Sequence, residues 1–393
     1  MKYFFSAGEA SGDIHASQVI NELLKLDLEA QIAFLGGDRM AAASGKDPLI
    51  HYSRMAFMGF IDVAAHLPQV LGNLRLAKKA IREMRPDAVV LVDYPGFNLK
   101  LAKYAKGLGL KVYYYIAPKL WAWKSYRIKQ LRRYVDRVFS ILPFEPEWFG
   151  ARGVKVDYVG NPSVEEVEAM LRSLPPKEEF FSAYGLDGRP ILALVPGSRV
   201  GEIKANLPVM DAVASRHKDM QAVVAGAPSM ERELYSRFSD LPVIDAATLE
   251  LMAHSRAALV TSGTASLECA LADCPQVVCY RAVGWKWAHD IFLHILKIPY
   301  ASLPNLIAGK IDRKTRDEVN REAVVTGVRG CVVPEMLVHN CTPDNVDREL
   351  SRLIPDGKAR EKQLKGYAEV RSILHTDSSA AANVARLLYD SLK

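Results

Sequence analysis

The sequence predicts two doubly wound α/β domains in tandem, and three observations carry that prediction. Short apolar runs alternate with helical patterns. The alternation stops near Gly160-Asn161-Pro162 and then restarts. At 393 residues the chain is too long for one core of ordinary size and suits two. In the first half the runs Lys2–Ser6, Gln31–Leu35, Ala88–Val92, Val112–Ile116, Arg137–Ile141 and Val156–Val159 read as strands. Their near-continuous apolar character is that of parallel strands buried on both faces. Helical patterns lie between them at Ile14–Leu26, Leu67–Met84 and Leu99–Leu108. Strands alternating with helices imply parallel sheets covered on both sides.

The expected organisation is a first Rossmann-like domain over 1–160, a charged helical linker with Pro175-Pro176 over 161–188, and a second Rossmann-like domain over 189–375. A final helix over 376–393 is expected to pack back on the first domain. Strands of the second domain are read at Ile191–Val195, Ala222–Ala225, Val243–Ile244, Ala258–Val260 and Gln276–Cys279. In such folds the ligand lies outside the carboxyl ends of the strands.

Hydrophobic residues make up 49% and charged residues 24%, an ordinary globular balance. A net charge of +6 and a pI near 8.9 suit anionic partners such as phosphates or acidic lipid surfaces. No basic-aromatic nucleic-acid module is present, so no nucleic-acid partner is expected. The apolar run at Met1–Ser6 is too short for a signal peptide, and no stretch approaches the ~20 apolar residues of a membrane span. The 5 cysteines lack paired spacing and the 9 histidines lack ligand spacing, so neither disulfides nor a metal site is expected. A reducing cytoplasmic compartment fits.

Four strand-to-helix junctions concentrate small and polar residues. The first, Ser6-Ala7-Gly8-Glu9-Ala10-Ser11-Gly12-Asp13, offers a tight turn and a helix start for an anion or a sugar hydroxyl. It reads equally as a plain turn capped by Asp13. The second, Val92-Asp93-Tyr94-Pro95-Gly96-Phe97-Asn98, places Asp93 at a strand end, where a carboxylate serves as a general base or as a helix cap. Glu9, Asp13 and His15 are the reserve candidates for that base. The third, Gly197-Ser198-Arg199 ahead of Glu202, groups a glycine, a hydroxyl and a guanidinium as a diphosphate site does, or as a capped surface turn does. The fourth, Ser262-Gly263-Thr264-Ala265-Ser266-Leu267-Glu268, joins a hydroxyl-rich helix start to a carboxylate fit for ribose hydroxyls, or forms an ordinary capping box. The chain lacks an Asp-x-Asp pair. Leaving-group charge would then fall to Arg199 and helix dipoles, with no metal and no other cofactor.

At these junctions the sequence resembles the lipid-A-disaccharide synthase family. The matching stretches are Ala7–Asp13, Met58-Gly59-Phe60, Asp93–Asn98, Tyr115–Lys124, Pro143-Phe144-Glu145, Val159–Pro162, Pro196–Arg199, Ser262–Glu268, Tyr280-Arg281 and Ser302-Leu303-Pro304-Asn305, in family order. The resemblance implies a GT-B fold of two Rossmann-like domains, inversion at the anomeric carbon and no metal. It implies Asp93 as the catalytic acidic residue, Arg199 and Glu268 as donor-nucleotide residues, and Asn305 as a residue near the donor. The implied substrates are UDP-2,3-diacylglucosamine and 2,3-diacylglucosamine 1-phosphate, yielding the β-1,6 disaccharide and UDP. Two stretches depart from the family: Lys310–Gly330 reads as a charged insertion, and Ala117-Pro118-Lys119-Leu120 stands where the family has Ser-Pro-Gln-Val.

Acylated substrates call for contact with the cytoplasmic face of the inner membrane. Apolar residues of Met55–Leu76, including Met58 and Phe60, lie beside Arg75, Lys78, Lys79 and Arg82, as on an interfacial helix or on a buried one with a solvated end. Trp121, Trp123, Lys124 and Arg127 form an aromatic-basic run suited to the acceptor or membrane edge, or to a packed helix start. Trp285, Trp287, His289, His294 and Lys297 form a similar amphipathic run, read as core packing. A homodimer is compatible with the sequence, although no particular residue calls for it. The nearest rivals are another UDP-sugar transferase or a UDP-N-acetylglucosamine epimerase acting on a soluble substrate. A dinucleotide oxidoreductase would need a glycine fingerprint that neither half supplies.

Overall fold

The computed structural model describes residues 1–55, 67–122, 124–228, 230–281 and 298–393. The chain divides into two compact units. One comprises Met1–Pro162 with His375–Lys393, the other Ser163–Leu374.

The first unit is built on strands β1 (Lys2–Ala7), β2 (Gln31–Gly36), β3 (Ile50–His51), β4 (Ala88–Val92), β5 (Lys111–Tyr115), β6 (Arg137–Ser140) and β7 (Val156–Tyr158). They form a parallel sheet in the order β3-β2-β1-β4-β5-β6-β7. All five residues of β4 are buried, as its unbroken apolar run requires. Tyr3, Phe5, Phe34, Val90 and Phe139 pack against Val19, Ile20 and Leu23 of the helix Ala10–Leu26. Burying each such side chain stabilises the unit by about 1.5–3 kcal/mol before entropy is counted.

The same core is completed from far along the chain. Ala381, Val384, Ala385 and Leu388 of the helix Ala380–Asp390 join it. The Asn383 amide donates to the Val159 carbonyl at 3.0 Å, and the Tyr113 and Ser391 hydroxyls meet at 2.6 Å. Gly160 holds φ at +102°, and a Cβ there would meet the Thr376 hydroxyl at 2.8 Å, so the returning chain needs glycine at that point.

The second unit holds β8 (Ile191–Val195), β9 (Gln221–Gly226), β10 (Val243–Asp245), β11 (Ser255–Thr261), β12 (Gln276–Tyr280) and β13 (Glu335–Leu337), parallel in the order β10-β9-β8-β11-β12-β13. Both faces carry a buried core. Leu192, Leu194 and Met210 lie on one face, and Ile191, Ala193 and Leu251 on the other. The segment read as a linker folds largely as the helices Pro162–Arg172 and Lys177–Ala183, and from Ser163 onward it is part of this unit. The charged stretch after Lys310 contains a helix, Arg313–Thr326, opened by the Asp312 side chain, which accepts from the Thr315 N–H at 2.7 Å, and closed by Gly327 at φ +75°.

Candidate active site

Each sheet reverses its strand order at one place: between β1 and β4 in the first unit, and between β8 and β11 in the second. Ligands of doubly wound sheets bind outside the carboxyl ends of the strands at such switch points. Glu9 and Asp93 follow β1 and β4. The Gly197–Arg199 and Ser262–Glu268 loops follow β8 and β11. Sequence-distant candidates are thus gathered into one cluster in each unit.

In the first unit, Asp93 and Tyr94 are consecutive left-handed residues at φ +44° and +47°. The Asp93 carbonyl holds this turn by accepting from the Asn98 amide at 2.8 Å and the Tyr114 hydroxyl at 2.5 Å. Asn98 is itself buried and also donates to the Val92 carbonyl and accepts from the Ser6 hydroxyl. The residue before the helix Pro95–Gly107 is Tyr94, and no side chain caps that helix, so Asp93 is not spent on capping. Backbone strain held by surrounding bonds is a feature of functional turns. The Asp93 carboxyl is pushed up to about 6, first by burial and then by Glu9, against the opposing pull of Lys119. A carboxylate in that range is matched to proton abstraction near neutral pH. The Tyr94 ring covers Gly8, where a Cβ would come within 2.3 Å, and its hydroxyl donates to the Met55 carbonyl at 2.5 Å.

One reserve candidate changes meaning. Asp13 is 2% exposed and accepts from the backbone N–H groups of Gly37, Arg39 and Met40, at 2.6, 3.0 and 3.3 Å. It opens the helix Asp38–Ser44 across space and does not cap the helix Ala10–Leu26, whose N-cap is Glu9. Its carboxylate is thus committed to the backbone of the next helix. His15 is half-buried, and burial lowers its pKa, so it is neutral at pH 7.

In the second unit, Gly197 (φ +112°) turns the chain after β8. Glu202 pairs with Arg199 at 2.8 Å and accepts from the Ser198 N–H at 3.2 Å. Arg199 is exposed, and a diphosphate at this loop would exchange one anionic partner for another. The loop after β11 turns at Gly263 (φ +152°). The Ser262 hydroxyl donates to the Ala301 carbonyl, while Thr264 is exposed at the first residue of the helix Thr264–Leu271. Glu268, half-buried on that helix, is pushed up to about 7, chiefly by burial and also by Glu166. Asn305 is wholly buried. Its amide oxygen accepts from the N–H groups of Cys331, Val332 and Val333, and its amide nitrogen donates to the Val333 carbonyl and to Glu335. Asn305 therefore organises the loop before β13 and has no capacity left for a donor, which corrects its reading as a contact residue.

Of the acceptor-edge candidates, Met58, Phe60 and Trp123 lie outside the described residues, as do Trp285, Trp287, His289, His294 and Lys297. Trp121 is not at an edge: it is 3% exposed, and its indole N–H donates to Glu145 at 2.8 Å. Lys124 (φ +51°) and Arg127 are half-buried at the adjoining short turn. Glu145 stands in the sequence only as the end of the Pro143-Phe144-Glu145 stretch, yet it is 1% exposed and pushed up to about 7 by burial, with Ser140, Trp121 and Lys119 pulling it down. Its one sequence signal is a carboxylate just beyond an apolar strand. Among the described residues, no three His, Cys, Asp or Glu side chains cluster as metal ligands, and no helix is long and apolar enough to cross a membrane.

Comparison with solved structures supports the fold. The chain matches UDP-GlcNAc 2-epimerase from Neisseria meningitidis bound to UDP-GlcNAc with a TM-score of 0.59 at 14% identity, over 100% of this chain and 99% of that one. It matches the Rickettsia bellii UDP-N-acetylglucosamine 2-epimerase with a TM-score of 0.60 at 10% identity, over 100% and 97%. Both share the arrangement of two Rossmann-like units, the GT-B fold. Sequence relatives are more specific. The lipid-A-disaccharide synthase of Anaeromyxobacter dehalogenans strain 2CP-C is 37% identical over 94% of this chain and 92% of its own. That of Myxococcus xanthus is 36% identical over 98% and 96%. The family model described as lipid-A-disaccharide synthetase matches residues 3–322. With ten short stretches in family order and relatives that match over more than nine-tenths of both chains, the chain belongs to the lipid-A-disaccharide synthase family.

Proposed function

We propose that this chain condenses UDP-2,3-diacylglucosamine with 2,3-diacylglucosamine 1-phosphate, giving the β-1,6-linked disaccharide 1-phosphate and UDP with inversion. Asp93 takes the proton from the acceptor's 6-hydroxyl as that oxygen bonds to the donor's anomeric carbon. The bond from that carbon to the diphosphate oxygen breaks, and UDP leaves with the electron pair. Arg199 and the N–H groups at the starts of the helices Val200–Ala214 and Thr264–Leu271 meet the charge that develops on the diphosphate, in place of a metal ion. Glu268 receives the ribose hydroxyls. The observation that carries this reading is the half-buried Asp93 carboxyl, held on a strained turn at the switch point with its acid–base range moved toward neutrality.

Both substrates carry acyl chains, so the protein works at the cytoplasmic face of the inner membrane as a peripheral enzyme. Supplying both lipids in mixed micelles and following UDP release together with the mass of the lipid product tests the reaction. Formation of the disaccharide with equimolar UDP is expected. UDP-N-acetylglucosamine epimerisation without lipid product would replace this reading with that of a soluble-substrate enzyme.

A further inference from the structure

Four neighbouring strands of the first sheet, β1, β4, β5 and β6 in that spatial order, each deliver a charged side chain beyond their carboxyl ends: Glu9, Asp93, Lys119 and Glu145. In this row the single ammonium falls between two carboxylates. The strands are held in register there, with Val92 opposite Tyr115 and Tyr115 opposite Phe139, and the Asp93 N–H donates to the Tyr115 carbonyl at 3.0 Å. Lys119 acts on both flanking carboxyls, favouring the ionised form of each.

Lys119 is exposed on the loop that leaves β5, and a long side chain on a free loop would lose much of its influence to motion and solvent. This loop is not free. Two residues on, Trp121 is buried, its ring set edge-on to Phe144 at 5.2 Å and 80°, and its indole N–H donates to Glu145 at 2.8 Å. The other oxygen of Glu145 accepts from the Ser140 hydroxyl, at the end of β6. Ser140 in turn is tied to the backbone of Leu142. A buried carboxyl is unfavourable unless such bonds compensate it. An apolar residue could fill the space, but it could not accept from the indole.

We propose that Glu145 is a positioning residue and Lys119 the electrostatic partner of the base: Glu145 anchors the loop after β5 through Trp121, and that loop holds the Lys119 ammonium beside Asp93. The inference rests on Asp93 being the base. Around Asp93, Glu9 from the turn after β1 favours the neutral carboxyl, as burial does, and Lys119 opposes both. Tyr114 of β5 donates its hydroxyl to the Asp93 carbonyl, and Arg127 acts on Tyr114. The ammonium thus holds the acid limb of the base lower than burial and Glu9 alone would set it.

The test is kcat/KM against pH for lipid-dependent UDP release, with the full-length protein. Lys119→Gln should move the acid limb to higher pH by roughly 0.5 or more on the pH axis. Glu145→Ala and Trp121→Phe, which break the anchor from either side, should move it the same way. Glu145→Gln, whose amide oxygen still accepts from the indole, should stay close to the parent profile. An unmoved limb in Lys119→Gln overturns the electrostatic role. A moved limb in Lys119→Gln with unmoved limbs in Glu145→Ala and Trp121→Phe overturns the positioning role. If Glu145→Ala does not fold, Trp121→Phe decides. Asp93→Asn run alongside separates the two levels: a rate kept above about a tenth of the parent's removes Asp93 as base, whatever the other variants do.

Discussion

Asp93→Asn isolates proton abstraction from almost everything else this residue does. Asparagine adopts left-handed backbone at least as readily as aspartate, so the turn at φ +44° is preserved, whereas alanine would add strain to the chemical loss. The bonds from Asn98 and Tyr114 reach the main-chain carbonyl and are untouched by the change. What disappears is a carboxyl that titrates at about 6. At pH 7 roughly nine-tenths of the parent molecules carry it ionised. Removing a general base typically slows a reaction by about 10²–10⁴. The sign of the pH dependence follows from the same group. Its folded-state pKa lies above the ordinary carboxyl value, so the active, ionised form is lost as pH falls through about 6 and is nearly complete above 7. The parent enzyme should therefore show an acid limb near 6, and the variant should have a collapsed rate across the range with UDP affinity retained. Rate by UDP release and affinity by calorimetry give both numbers. A folded variant keeping more than about a tenth of the parent rate would refute the assignment, because that falls short of the weakest ordinary general-base effect.

Other consequences are tested more simply. Arg199→Ala should lower donor affinity or turnover by about tenfold to a hundredfold, the loss of a charge-assisted bond worth about 1.5–3 kcal/mol, and an unchanged folded variant would remove Arg199 from the donor site. Activity should survive exhaustive EDTA treatment, since the sequence offers no Asp-x-Asp pair to hold a divalent ion; loss that magnesium restores would contradict this. Asp13→Ala leaves buried N–H groups of Gly37 and Met40 unsatisfied and should destabilise the protein by about 2 kcal/mol, read as a fall in Tm. Full stability with a collapsed rate would return Asp13 to the chemistry.

Much of the architecture is legible in the residues because doubly wound sheets are built from continuous apolar runs. β1, β2, β4, β8 and β12 all stand out in this way. Of the four edge strands, β3 and β13 do not: two or three residues are near the limit of what a pattern can show, and β13 pairs with β12 from far along the chain. The junction residues were visible as types, and their roles were less so. Asp13 and Asn305 look like site residues until their partners are known, and those partners, Gly37 to Met40 and Cys331 to Val333, lie about two dozen positions away or more. Glu145 was hidden for the converse reason. A carboxylate in a Pro-Phe-Glu turn looks solvated until Trp121 and Ser140 are found to enclose it.

The helix Ala380–Asp390 completes a core begun at Tyr3, and the whole second unit lies between them in the chain. During synthesis the first unit therefore emerges from the ribosome with an open apolar face, where Val384 and Leu388 will later sit. It must wait, incomplete, while the second unit is translated and folds. The start of the chain is thus the last region to reach its final stability, and a nascent chain stalled before Ala380 would present that face to chaperones or to other stalled copies. A break in translation or a proteolytic cut late in the sequence would injure the unit that carries Asp93, leaving the unit with Arg199 and Glu268 intact.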